Sequence, residues 1–122
     1  MSMTGRIAQI ALPVRDLARA TAFYRDVVGL PVLFEVPNLS FFDCAGTRLM
    51  LGAAEAERHN GASVIYYAAD DVRREHERLA SLGVTVERAP HVIARLGTKE
   101  VWMAFFTDSE GNTFATMSEH EA

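Results

Sequence analysis

The sequence predicts an α+β fold made of two successive β-α-β-β-β modules. Three observations point to it. The chain has 122 residues, enough for one domain or two small halves sharing a core. Two stretches repeat the same succession of patterns: an apolar alternating run, an aspartate, a helical pattern and a closing glycine. The interval from Asp16 to Gly29 equals that from Asp70 to Gly83.

The elements follow in order. Ile7-Ala8-Gln9-Ile10-Ala11-Leu12-Pro13-Val14 and Ser63-Val64-Ile65-Tyr66-Tyr67-Ala68 alternate or carry β-branched residues, as strands do. Asp16 and Asp70 then stand where a carboxylate accepts hydrogen bonds from free N–H groups at a helix start. Leu17, Ala20, Tyr24 and Val27 share one helical face; Val72, His76, Leu79 and Leu82 share another. Gly29 and Gly83 supply the left-handed conformation that ends a helix. Shorter strands are expected at 31–36, 39–44 and 48–52, and again at 84–88, 101–107 and 113–117. Ala45-Gly46 and Glu110-Gly111-Asn112 provide turns before the last strand of each half. The modules therefore span 5–54 and 62–119, with a polar linker at 55–61. The second module carries an extra loop at 89–100.

Composition excludes several classes. Twelve Lys and Arg against 16 Asp and Glu leave a net charge of −4, which offers no basic footprint for nucleic acid. No apolar run is long enough to span a membrane. Residues 1–6 contain no apolar stretch of the signal-peptide kind, and the single cysteine, Cys44, cannot form an internal bridge. A reducing cytoplasm is the expected compartment. The run Arg73-Arg74-Glu75-His76-Glu77-Arg78 reads as a solvated helix face. His59 lies in the expected linker and His120 in the tail, and no two histidines have ligand spacing.

Two pieces carry a family resemblance. One is Leu12-Pro13-Val14-Arg15-Asp16-Leu17 followed by Ala22-Phe23-Tyr24-Arg25-Asp26-Val27-Val28-Gly29-Leu30; the other is Asp108-Ser109-Glu110-Gly111-Asn112. In this order, within a duplicated chain, they resemble the vicinal oxygen chelate superfamily of glyoxalases, bleomycin-resistance proteins and extradiol dioxygenases. The resemblance implies paired modules whose mixed sheets form a cup with the helices outside, a ligand in the cup between the modules, and a homodimer. It also implies a four-ligand metal site on the first and last strand of each module. In this chain those places hold Gln9, Met50, Val64 and Ala115. Gln9 offers an amide oxygen and Met50 a thioether; Val64 and Ala115 offer no donor at all. The expectation is therefore no metal and no other cofactor, with Gln9 the sole candidate ligand for a divalent ion.

Strand alternation sorts the remaining side chains. If Gln9, Met50 and Val64 face the cup, so do Arg48 and Tyr66, while Ile10, Leu12, Leu49, Leu51, Ile65 and Tyr67 lie under the helices. Arg48, between apolar neighbours, needs a partner for its charge: a ligand anion held in bidentate fashion or an internal carboxylate, unless it is an exposed side chain at the strand end. His91 and Arg95 fall in the 89–100 loop, which serves either as a lid over the cup or as an interface. His91 is then the one titratable group placed for acid–base work. Tyr66 and Trp102 are candidate aromatic walls, with core packing the alternative.

Two functions are consistent with these residues, beside the plainer alternative of a dimeric interaction module with an empty cup. One is metal-independent binding of a small molecule, with ligand contacts from Gln9, Arg48, Met50, Tyr66, His91, Arg95 and Trp102. The other is a glyoxalase-like lyase, isomerase or dioxygenase with a degenerate metal site, or with His91 as a metal-free base.

Overall fold

A computed structural model describes residues 7–52 and 64–121. The expected linker 55–61, with His59, lies outside the described residues. The chain divides into two compact units, Met1–Asn60 and Gly61–Ala122.

The first unit runs β1 (Gln9–Pro13), α1 (Leu17–Ala22), a π-helical turn (Phe23–Val28), β2 (Val32–Val36), β3 (Leu39–Cys44) and β4 (Thr47–Gly52). Its strands are ordered β1-β4-β3-β2, with β1 parallel to β4 and the other pairs antiparallel. The second unit runs β5 (Ile65–Ala68), α2 (Val72–Ser81), β6 (Thr85–Leu96), β7 (Lys99–Thr107) and β8 (Thr113–Glu121), in the order β5-β8-β7-β6. Here too the first and last strands are parallel. Two four-stranded mixed sheets, each built from a β-α-β-β-β unit, give the α+β fold that the repeat implies.

Each sheet buries one face under its helix. In the first unit Leu49, Leu51 and Phe42 are at most 2% exposed, and Tyr24 lies against Phe42 at 6.3 Å between ring centroids. Removing each such side chain from water contributes about 1.5–3 kcal/mol. In the second unit Phe106 stacks on Phe114 at 5.5 Å, beneath the buried Val72 and Leu79 of α2. The helical face expected for α2 holds at Val72 and Leu79. Leu82, however, is the C-cap residue and is exposed.

The helix starts and stops differ between the units. Asp16 caps α1, its Oδ1 accepting from Arg19 N at 3.0 Å. The cap of α2 is Asp71 rather than Asp70, accepting from Arg73 N at 2.9 Å. From cap to closing glycine the first unit thus has one residue more than the second. A single inserted residue is what a π turn absorbs, and Gly29 N bonds back to Tyr24 O at 3.1 Å, five residues earlier. Gly29 and Gly83 take φ of +89° and +84°, the left-handed region that favours glycine.

The expected loop at 89–100 is not a loop. It forms the end of β6 and the start of β7, a hairpin turning at Gly97-Thr98. The 12 residues of β6 face the 9 of β7, and three register shifts, at Val86/Arg88, Arg88/His91 and Val92/Ala94, absorb the excess. These bulges disrupt simple alternation, which is why the segment did not read as a strand. β8 likewise runs to Glu121, so His120 is a strand residue and not part of a loose tail.

Candidate functional site

Register fixes which side chains share the helix-free face of each sheet. In the first unit Gln9 pairs with Arg48, and Arg48 with Asp43; Ala11 pairs with Met50, Met50 with Phe41, and Phe41 with Phe34. Partners in register point to one side. The other side holds Ser40 and Phe42, which meet Thr21 and Tyr24 of the helical segment. Gln9, Arg48 and Met50 therefore stand together on the face away from α1.

Their contacts are specific. Gln9 Nε2 donates to Met50 Sδ at 3.8 Å. The Arg48 guanidinium lies over the Phe41 ring, 5.7 Å from its centroid. Phe41 in turn stacks on Phe34 at 4.5 Å and 25°. At the end of this face Ala8, Gln9, Leu33, Asp43, Gly46 and Arg48 line an open cleft of about 310 Å³, at the lower end of ligand-pocket sizes. Asp43 is committed to its own turn, accepting from Gly46 N at 2.9 Å. Arg48 is exposed near the start of β4, as the strand-end alternative expects, and among the described residues it forms no ion pair. Cys44 stands at the other end of the β3–β4 turn, and burial, with a smaller contribution from the Asp43 charge, pushes its thiol up from the ordinary value. That is the opposite of nucleophile activation.

In the second unit Tyr66, Ala115 and Phe105 are in register across β5, β8 and β7. Ala115 carries only a methyl group, so the rings on either side meet over it, edge to face at 6.0 Å and 82°. Arg88 continues the row, and His91, which pairs with Met103, lies 6.2 Å from Phe105. The His91 Nδ1 donates to Ala89 O at 2.8 Å, and its other ring nitrogen is Nε2. That atom is buried and has no hydrogen-bond partner among the described residues.

The other two candidates lie elsewhere. Trp102 alternates with Ala104 and Phe106, on the side that packs against α2; Arg73 stands over it at 5.2 Å and His120 meets its edge at 6.5 Å. It cannot form one wall with Tyr66, which is on the opposite face. Arg95 spends its charge on Glu100, directly across the hairpin, at 2.9 Å.

One polar group escaped the sequence reading. Glu87 is the extra residue of the first β6 bulge. It accepts from Thr107 Oγ1 at 2.7 Å and from Thr113 Oγ1 at 2.9–3.0 Å. Its partners are 20 and 26 residues away, so no local pattern announces them.

Among the described residues no three His, Cys, Asp or Glu side chains are grouped to hold a metal ion. The four strand positions that the resemblance marks do not fit one either. The Gln9 amide is turned to the Met50 sulfur, and Val64 and Ala115 bring no donor.

Two successive β-α-β-β-β units, each with a helix on one face of a four-stranded mixed sheet and a polar–aromatic opposite face, define the class of fold. The model of the Glyoxalase/Bleomycin resistance protein/Dioxygenase superfamily matches residues 6–116, and the chain belongs to that superfamily. Its structure is similar to that of lactoylglutathione lyase from Agrobacterium tumefaciens, with 27% identity, a TM-score of 0.74, and 93% of this chain and 92% of that one covered. It is also similar in fold to TnmS3, an antibiotic-binding protein from Streptomyces sp. CB03234, with 24% identity, a TM-score of 0.76, and 95% and 96% of the chains covered. A superfamily member from Sphaerobacter thermophilus DSM 20745 matches at 22% identity, a TM-score of 0.76 and 93% and 96% coverage. No curated protein sequence matches the chain at a significant level. Among the described residues no helix is long and apolar enough to cross a membrane.

Proposed function

We propose that this protein binds a small organic molecule without a metal ion, holding an anionic group of the ligand at Arg48 and Gln9. The observation that carries the reading is the Arg48 guanidinium. It stands at a cleft, over an aromatic ring, with an amide beside it and no ion-pair partner among the described residues. A guanidinium offers two parallel N–H donors that match a carboxylate or phosphate, and Gln9 adds a further donor. Phe41 and Phe34 extend the surface for an apolar or planar body. The reading places the protein in the cytoplasm as a homodimer.

The test is a thermal-shift screen of organic carboxylates and phosphates. A true ligand at ~100 times its dissociation constant raises stability by roughly 2.7 kcal/mol. The stabilisation by a hit is lost in Arg48→Ala. A hit unaffected by that change, or no hit among anions, removes the reading. Light scattering gives twice the 13.5 kDa chain mass if the dimer forms.

The similarity to a lactoylglutathione lyase favours a second reading, a metal-dependent lyase, isomerase or dioxygenase. Elemental analysis after purification with added nickel, zinc, manganese or iron separates the two. Near-stoichiometric metal supports the enzyme; its absence from the loaded protein supports binding alone.

A further inference from the structure

The second unit carries an exposed, oriented carboxylate, Glu87, that forms no ion pair among the described residues, with Arg88, the next residue, in register with Phe105 on the same face. Glu87 belongs to β6, Thr107 to β7 and Thr113 to β8, so three strands converge on one group. Both threonine hydroxyls act as donors to it, which fixes the carboxylate's orientation before any ligand arrives. Such preorganisation lowers the entropy that binding must overcome. The hydroxyl bonds leave lone pairs open on the two oxygens, and a carboxylate is an acceptor only. Among the described residues no lysine, arginine or histidine pairs with Glu87.

Its position is set by the β6 bulge. Val86 pairs with Phe106 and Arg88 with Phe105, so Glu87 is the residue without an opposite number. A bulge of this kind re-aims one side chain. Here it sends Glu87 to the side of Thr107 and Thr113, which is also the side of Phe105, Ala115 and Tyr66. Thr107 and Thr113 pair directly, one row from the Phe105–Ala115 pair. Two residues along a strand span about 7 Å. Tyr66 is 46% exposed at the far end of that row. A carboxylate held one row from an aromatic pair is the complement of a cation with an apolar body: N–H donors for the oxygens and positive charge for the ring.

We infer that Glu87, held by Thr107 and Thr113 beside the Tyr66–Phe105 pair, is a binding site for a protonated organic amine carrying an aromatic or apolar group. The site stands on the second unit alone and does not depend on the Arg48 reading. The hydroxyl donors serve as positioning groups; Glu87 and Tyr66 touch the ligand.

Phenethylamine and its neutral counterpart 2-phenylethanol test it, titrated into the full-length protein at neutral pH and followed by amide NMR. The amine moves the signals of Thr107, Thr113 and Tyr66 and binds about tenfold or more tighter than the alcohol, the worth of one charge-assisted hydrogen bond. Glu87→Gln, which keeps the shape and the threonine contacts, removes that preference. Tyr66→Ala, at an exposed position, weakens the amine by roughly threefold. Equal binding of amine and alcohol, shifts confined to other residues, or an unchanged preference in Glu87→Gln overturns the proposal. The amine–alcohol comparison on the unaltered protein decides the matter even if Glu87→Gln does not fold.

Discussion

The hydroxyls of Thr21 and Ser40 meet 2.8 Å apart, both buried, between α1 and β3. Either can donate, and the bond is the polar link in an otherwise apolar helix–sheet contact. Thr21→Val keeps the volume but leaves the Ser40 hydroxyl buried and unbonded, at a cost of about 1–3 kcal/mol. Ser40→Ala strands Thr21 in the same way. The double variant leaves no orphan, so it loses less than the sum of the two, with a coupling of about 0.5–3 kcal/mol. Urea unfolding of the four proteins measures it. Strict additivity removes the link.

The Thr21–Ser40 contact was not legible beforehand, but the division of each sheet into two faces was, because alternation needs only the sequence. It separated Gln9, Arg48 and Met50 from Leu49 and Leu51, and the register bears that division out. The same alternation puts Trp102 in step with Ala104 and Phe106, so its place on the helix side was readable too. Three features were not readable. The π turn comes from a one-residue excess visible only once Asp71 is known to be the cap. The β6 bulges break the period on which strand assignment relies. The Glu87–threonine bonds span three strands and have no local signature.

Acid should weaken the start of α2 first. The hydrogen bonds from Arg73, side chain first and backbone second, hold the Asp71 carboxyl down to about 2 from an ordinary 3.8. A carboxyl depressed on folding contributes stability that is complete above its unfolded value and is lost as pH falls through its folded value. The window is therefore pH 3.8 down to about 2. Asp71→Asn retains a capping oxygen but cannot titrate. Its acid-unfolding curve should be shallower across that window than that of the unaltered protein. Parallel curves would dissociate Asp71 from the acid limb.

Asp108 holds the turn before β8. It is 6% exposed, and its Oδ1 accepts from Glu110 N and Asn112 N, each at 2.8 Å. Asp108→Ala deprives both N–H groups of their acceptor and should cost about 1–3 kcal/mol. That is a melting shift of roughly 3–10 °C for a chain of this size. Asp108→Asn presents the same oxygen and should lose clearly less. Thermal unfolding of both variants distinguishes a turn held by this acceptor from one held by its backbone alone.

The β3–β4 turn offers a change in the stabilising direction. Cys44 and Thr47 pair directly, leaving Ala45 and Gly46 as the two-residue link, with φ of +51° and +99°. Positive φ at both central positions gives the turn whose twist matches the flanking strands, and asparagine followed by glycine is its preferred sequence. Gly46 meets that demand without strain. Ala45 does not, because its Cβ crowds the following carbonyl in the left-handed region, at about 1–2 kcal/mol. Asparagine tolerates that region better. Ala45→Asn should raise unfolding free energy by about 0.5–1 kcal/mol, read from the urea midpoint at constant slope. Ala45→Val, β-branched at the same φ, should lower it. If asparagine destabilises as valine does, strain at this position is not what limits the turn.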